Sequence, residues 1–154
     1  MNFKEWLEGK ENEYGKHIRR PSSKGDMRPV VSFDFDGVLH RDIYPGTHHP
    51  LSHYNPDMTP NMPMHQKLRE EARQNKVVVT SARCPDTIPI MQQFIQNYHL
   101  PVQEIVATCD GPKLPYLQRM QAIRHYDDNS RVGIELQGSG IEFVLVRVKS
   151  SMER

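Results

Sequence analysis

Five short runs of strand length, separated by four stretches with helical spacing, constrain this chain more than any other feature. VVSFD at 30–34, VVVTS at 77–81, EIVAT at 104–108, IRHYD at 123–127 and FVLVRV at 143–148 are rich in β-branched and aromatic residues. Between them, Met64, Leu68 and Ala72 recur at helical spacing, as do Met91, Phe94, Ile95 and Tyr98, then Leu114, Leu117 and Met120, then Val132 and Leu136. Apolar strands alternating with helices predict an α/β domain: a Rossmann-like, mostly parallel sheet flanked by helices. With 154 residues the chain has room for one such domain. We assign it to 30–154, preceded over 1–29 by a short helix bearing Phe3, Trp6 and Leu7 and by a polar, basic connection with Arg19, Arg20, Lys24 and Arg28.

Several function classes are excluded at this level. No apolar stretch approaches the roughly 18–20 residues of a membrane helix, and Lys4, Glu5 and Glu8 interrupt any signal-peptide core, so neither a membrane-spanning nor a secreted protein is expected. A formal net charge of +1 gives no global attraction to nucleic acid, though a local basic patch is compatible with it. Two cysteines, Cys84 and Cys109, are too few for a disulfide framework; we read them as inert thiols in a reducing cytoplasm rather than as a redox pair. Residues 40–63 hold Pro45, Pro50, Pro56, Pro60 and Pro63, which forbid a long helix or central strand there. The histidines in and beside that loop, His40, His48, His49, His53 and His65, include HH and HxxxH spacings, but no second fixed pair or cysteine joins them, and they read as residues of a polar loop rather than a zinc site.

In parallel sheets, ligands bind beyond the carboxyl ends of the strands. Those ends offer Asp34 and Asp36 after the first run, Ser81 and Arg83 after the second, Lys113 after the third, and Asp127 and Asp128 after the fourth. Two carboxylates about 4 Å apart repel by about 4 kcal/mol at an effective dielectric of about 20, which a bound cation or shared proton relieves. The all-oxygen donor set suits Mg²⁺ better than zinc. A DG turn alone would explain Asp36-Gly37 as well as chemistry does. Ser81 could hold a phosphate oxygen, whereas strand alternation turns Thr80 to the opposite face. Arg83 and Lys113 supply the charge that phosphoryl transfer needs.

With these residues in place, the sequence resembles the haloacid dehalogenase superfamily of phosphohydrolases. FDFDGVL at 33–39 is similar to its first motif, VVVTSAR at 77–83 to its second, Lys113 before an apolar helix to its third, and HYDDNS at 125–130 to its acidic fourth. The resemblance spans roughly residues 30–148 and implies a nucleophilic Asp34 forming an aspartyl-phosphate, with Asp36 as general acid and then base. It further implies phosphate binding by Ser81 and Lys113, which Arg83 joins on the reading of the strand ends, and Mg²⁺ held by Asp34, Asp36 through its backbone carbonyl, and Asp128, with Asp127 as ligand or support.

The intervals between the motifs leave no room for a sizeable cap domain, which favours a large substrate such as a nucleic-acid end. Within the family, the SAR sequence at 81–83 is similar to the 3′-phosphatase module of phage-type polynucleotide kinase-phosphatases, although no GxxxxGK[ST] phosphate loop is present. The expectation is therefore a cytoplasmic, Mg²⁺-dependent phosphatase whose partner is a phosphorylated substrate. The alternatives are a nucleotidase acting on nucleoside monophosphates and a non-catalytic binding module; oligomeric state is not legible.

Overall fold

A computed structural model describes residues 27–42 and 57–147, together with the backbone of 17–19. The expected helix over 1–16, the proline-rich segment 43–56 with His48, His49 and His53, and Arg20 and Lys24 lie outside the described residues. The elements in chain order are β1 (His17–Arg19), β2 (Val30–Phe33), α1 (Met62–Glu71), β3 (Lys76–Ser81), α2 (Ile88–Asn97), β4 (Glu104–Ala107), α3 (Leu114–Arg119), β5 (Ala122–Asp127), α4 (Ser130–Glu135) and β6 (Glu142–Leu145).

The sheet order is β1-β4-β3-β2-β5-β6. Strands β2 to β6 are mutually parallel, and β1 adds to the β4 edge antiparallel, with Arg19 opposite Glu104. This edge strand falls inside the span read from sequence as a connection. Three residues flanked by polar and breaker positions carry too short a pattern to announce a strand. The other strands and all four helices fall where the periodicity places them, shifted by a residue or two, except that the last strand ends at Leu145, three residues short of the expected run. Helix α1 begins at Met62, earlier than expected, because Pro63 occupies its first turn, where a missing N–H costs nothing.

Strands β2, β3 and β4 are buried at every position, as parallel strands covered on both faces must be. Alternation divides them between two cores. Val31 and Phe33 of β2 and Val77 and Val79 of β3 pack with Leu68, Met91, Phe94 and Ile95 of α1 and α2. Val30 and Val78 face the other way, against Leu117 of α3 and Val132 of α4. Ser32, Thr80 and His125, also fully buried, share that second face by strand parity. The chain runs outward from β2 through β3 to β4, then returns to place β5 on the other side of β2. The reversal makes the β2–β5 boundary the switch point of the sheet, the crevice where such folds bind ligands.

Candidate active site

The switch point brings together the ends of β2 and β5. Asp34 follows β2, its backbone N–H bonded to the Tyr126 carbonyl of β5 at 2.8 Å. Its Oδ1 accepts the Phe35 N–H at 2.8 Å and faces the Lys113 Nζ at 3.0 Å, which fixes the plane of the carboxylate. Lys113, ahead of α3, also donates to Asp127 Oδ2 at 2.6 Å. Asp34, Asp127 and Asp128 each offer an oxygen within 4.8 Å of the others. Among the described residues they are the group able to hold a cation.

Three carboxylates share one ammonium here, and their acidities record the imbalance. Burial pushes the Asp34 carboxyl well above its ordinary range; Lys113 opposes the shift, and Asp127, Asp128 and Asp36 add to it. Burial likewise raises Asp128 to about 6, helped by the charge of Asp127. Asp127 goes the other way: despite its burial, hydrogen bonding from His125 and the charge of Lys113 hold it well below the carboxylate range. Excess negative charge among oxygen donors is the chemistry that suits Mg²⁺, so these residues fit the ion. Asp127 is already committed to Lys113, His125 and the Asn129 N–H, which leaves Asp128 the more available carboxylate of the pair.

Burial keeps His125 neutral by lowering its pKa, although Asp127 resists that shift. A neutral ring that donates from Nε2 to ionised Asp127 at 2.8 Å must accept at Nδ1, so the Ser32 hydroxyl donates to it at 2.9 Å. Thr80 then donates to Ser32 at 2.8 Å. Three hydroxyl and imidazole groups inside the second core thus end on one oxygen of Asp127 and orient it. Sequence reasoning set Thr80 on the opposite face from Ser81 and left it out of the site, whereas its hydroxyl starts the line that ends on Asp127; it also missed His125. Its signal was the i, i+2 spacing to Asp127, which puts both on one face of β5.

Asp36 stands apart from the acidic cluster. The turn at Gly37, with φ 76°, swings its side chain toward Arg83 and His40. Arg83 grips it with two bonds, Nε to Oδ2 at 2.9 Å and Nη2 to Oδ1 at 2.8 Å, and His40 Nε2 lies 2.7 Å from Oδ1. Because His40 Nδ1 accepts the Asp42 N–H at 3.2 Å, its proton sits on Nε2 and is donated to Asp36. Burial opposes ionisation of Asp36, but the bonds from His40 and Arg83 outweigh it and hold the carboxyl well below the usual range.

The Asp36 carboxylate lies outside the metal-capable group; the role expected of this residue was that of its backbone carbonyl. Arg83 is engaged with Asp36, and Lys113 with Asp34 and Asp127, pairings that the sequence did not announce. His40 is a buried partner of the site rather than a loop residue, and its signal was the four-residue spacing from Asp36. His65 instead bonds the Leu39 carbonyl at 2.7 Å and packs on Phe94 and Tyr98. Ser81, fully buried, ends β3, and its Oγ accepts the Arg83 N–H at 3.1 Å.

The cysteines correct a second expectation. Cys84 and Cys109, read as inert thiols, form a disulfide across the loops that follow β3 and β4. Parallel strand ends one ladder apart bring the two loops into reach, a proximity invisible in a separation of 25 residues. The same loops are stitched by Cys109 N–H to Arg83 O at 3.0 Å and Asp110 N–H to Ala82 O at 2.8 Å. Cys109 and Asp110 both adopt left-handed backbone, at φ 52° and 62°, a strained turn that these bonds hold in place. Closing a loop of this length stabilises a chain by roughly 3 kcal/mol. A Cys84→Ser, Cys109→Ser variant is expected to lose up to that amount in chemical denaturation, and reductant is expected to do the same to the native chain.

Magnesium gives a direct reading of the acidic cluster. A ligand at 100 times its Kd stabilises by about 2.7 kcal/mol, which for a chain of this size raises Tm by roughly 5–10 °C. Protons compete for the same oxygens. At about pH 5, below the Asp128 value of about 6, the expected shift is smaller than at about pH 7.5. Equal shifts at both pH values would place the ion elsewhere.

No known family model matches the sequence, and no curated protein does. The fold has relatives among solved structures. A chain in the structure of the Pnkp1/Rnl/Hen1 RNA repair complex is similar with a TM-score of 0.63 at 17% identity, covering 91% of this chain and 47% of that one. A chain in a second structure of the Pnkp1/Rnl/Hen1 complex is similar at TM-score 0.63 and 16% identity, covering 90% and 50%. The present chain therefore spans about half the length of these structural neighbours, and at such identity the likeness is one of fold. No described helix is long and apolar enough to cross a membrane.

Proposed function

We propose that this chain is a Mg²⁺-dependent phosphomonoester hydrolase of the haloacid dehalogenase type that works through an aspartyl-phosphate on the end of a polynucleotide, a 3′-phosphate in particular. The observation that carries the reading is the gathering of Asp34, Lys113, Asp127 and Asp128 at the switch point of a parallel sheet, with three carboxylates within 4.8 Å. The fold shared with chains of an RNA repair complex supports the nucleic-acid class.

In this reading an Asp34 oxygen attacks phosphorus while Lys113 and the Phe35 N–H hold its carboxylate in plane. The P–O bond to the leaving alcohol breaks, and Asp36 supplies the proton to the departing oxygen. Asp36 is ionised while Arg83 and His40 grip it. A phosphate that draws Arg83 to its own oxygens removes one of the two partners that hold the carboxyl low and raises it toward a value at which it can carry a proton. Asp36 then takes a proton from water, whose oxygen attacks the phosphorus and frees Asp34. The Ser81 hydroxyl and Arg83 hold the equatorial oxygens. Bound Mg²⁺, held by Asp34, Asp128 and the Asp36 carbonyl, would offset the charge on the phosphoryl group.

The substrate is a phosphorylated end, and the location we assign is cytoplasmic. A disulfide there is of the reversible kind, since stable ones are rare in a reducing compartment.

The test is phosphate release from p-nitrophenyl phosphate with Mg²⁺ or EDTA, followed by comparison of a 3′-phosphorylated oligonucleotide with a nucleoside 3′-monophosphate. Release abolished by EDTA and favouring the oligonucleotide supports the reading. Preference for the monophosphate would make the chain a nucleotidase. No release from any of them, with no Mg²⁺ binding, would leave a binding module.

A further inference from the structure

Beside the acidic cluster lies a groove of about 500 Å³ between the start of α1 and the end of β6. Arg41, Lys67 and Arg147 line it, with Asn61, Met64 and Val144 among its walls, and no carboxylate contributes to the lining. In a chain whose net charge is only +1, three cations from three separate segments converging on one cavity is a local asymmetry. All three side chains are exposed. Lys67 shares its charge with Glu70 on the rim at 3.5 Å, a half-exposed pair of the weak kind.

The groove is tied to the site by backbone. Arg41 directly follows His40, which holds Asp36, and its N–H is fixed on the Thr59 carbonyl at 2.9 Å. Arg147 directly follows Val146, whose N–H bonds the carbonyl of Asp127 at 2.8 Å. Arg41 and Arg147 each adjoin in sequence a residue hydrogen-bonded to the site, His40 to Asp36 and Val146 to Asp127, and cations above apolar walls match the way single strands are held: charge along the backbone and apolar surface under the sugars and bases.

We infer that this groove seats the phosphodiester backbone of a single-stranded polynucleotide, just inward of the terminal phosphate that the neighbouring site hydrolyses. The inference rests on the polynucleotide reading above and adds the residues that would select a strand over a mononucleotide.

Fluorescence anisotropy tests it, using a labelled 3′-hydroxyl oligoribonucleotide of about ten nucleotides and the intact chain in EDTA, so that binding is read without turnover. Lys67→Ala with Arg147→Ala is expected to weaken binding about tenfold and to flatten the slope of log K against log salt by about 1.4, at about 0.7 per single-strand phosphate contact. Lys67→Glu with Arg147→Glu is expected to weaken it further. Arg73→Ala, an exposed cation just past the opposite end of α1, serves as the control and should leave the slope as it is.

Unchanged affinity and slope in both double variants would overturn the inference. So would polyglutamate of similar length binding as tightly and losing affinity through the same substitutions, since the groove would then be a site for acidic peptides. Failure of the phosphatase reading looks different: strand binding that follows these variants in a chain that never releases phosphate from p-nitrophenyl phosphate keeps the groove and removes the enzyme.

Discussion

Asp34→Asn is expected to lower phosphate release from p-nitrophenyl phosphate by at least about 10⁴-fold while leaving the chain folded, and without Mg²⁺ more stable at neutral pH. The loss of activity follows from the role proposed for Asp34, since an amide cannot form the acyl phosphate. The gain in stability follows from the electrostatics. In the fold the Asp34 carboxyl is raised by burial and by three acidic neighbours, with Lys113 opposing. A carboxyl whose folded pKa lies above its unfolded one costs stability wherever it is ionised in the unfolded chain, so the penalty grows as pH rises above about 4. The asparagine side chain removes that charge and retains an oxygen to accept the Phe35 N–H. Lys113 retains Asp127 at 2.6 Å. Thermal midpoints of the two chains should therefore converge as pH falls toward about 4, and the rise in Tm given by Mg²⁺ should shrink in the variant. Retained hydrolysis would remove Asp34 as the nucleophile. A lower Tm at neutral pH would mean that its ion pair with Lys113 outweighs the crowding of carboxylates.

The architecture was largely legible because apolar periodicity reports burial, and burial on both faces is what a parallel strand requires. Residues 30–34 and 77–81 read as strands for the reason that they sit in the middle of the sheet. His17–Arg19 did not, since an edge strand of three residues needs no apolar alternation to pair with β4. At the site, sequence could place chemistry at strand ends but not say which groups face one another. Asp34, Lys113, Asp127 and Asp128 gather because β2 and β5 are neighbours, a fact of strand order that no local pattern records. Asp36 leaves that gathering because Gly37 turns it, and Arg83 follows Asp36 because the ends of β2 and β3 are adjacent. His125, Ser32 and Thr80 looked like ordinary strand residues. Only the pairing of β3, β2 and β5 makes them a continuous line of hydrogen bonds, and that line occupies part of the second face in place of apolar side chains.

Lys113→Met is expected to be the most destabilising substitution of the site, by about 3–5 kcal/mol at neutral pH, with a fall in Tm of roughly 6–20 °C. The Lys113 side chain is 6% exposed, and its ammonium lies 3.0 Å from Asp34 and 2.6 Å from Asp127. Methionine fills much the same volume and removes the only cation paired directly with these two carboxylates among the described residues. Asp127, held low by His125 and Lys113 together, loses the second of these supports, and Asp34, raised by burial, loses the group that opposed the rise. Both folded pKa values therefore move up, and a raised carboxyl costs stability above its unfolded pKa and nothing below it. The deficit of the variant should shrink as pH is lowered from about 8 to about 5, and it should shrink again in Mg²⁺, which would return positive charge to the cluster. Lys113→Arg separates charge from shape, since it keeps the cation and alters the fit. A deficit that ignores both pH and Mg²⁺ would mean that the lysine stem stabilises by packing. A deficit close to zero would mean that the acidic cluster is already neutralised by its own protons, and the case for a bound cation would lose its electrostatic basis.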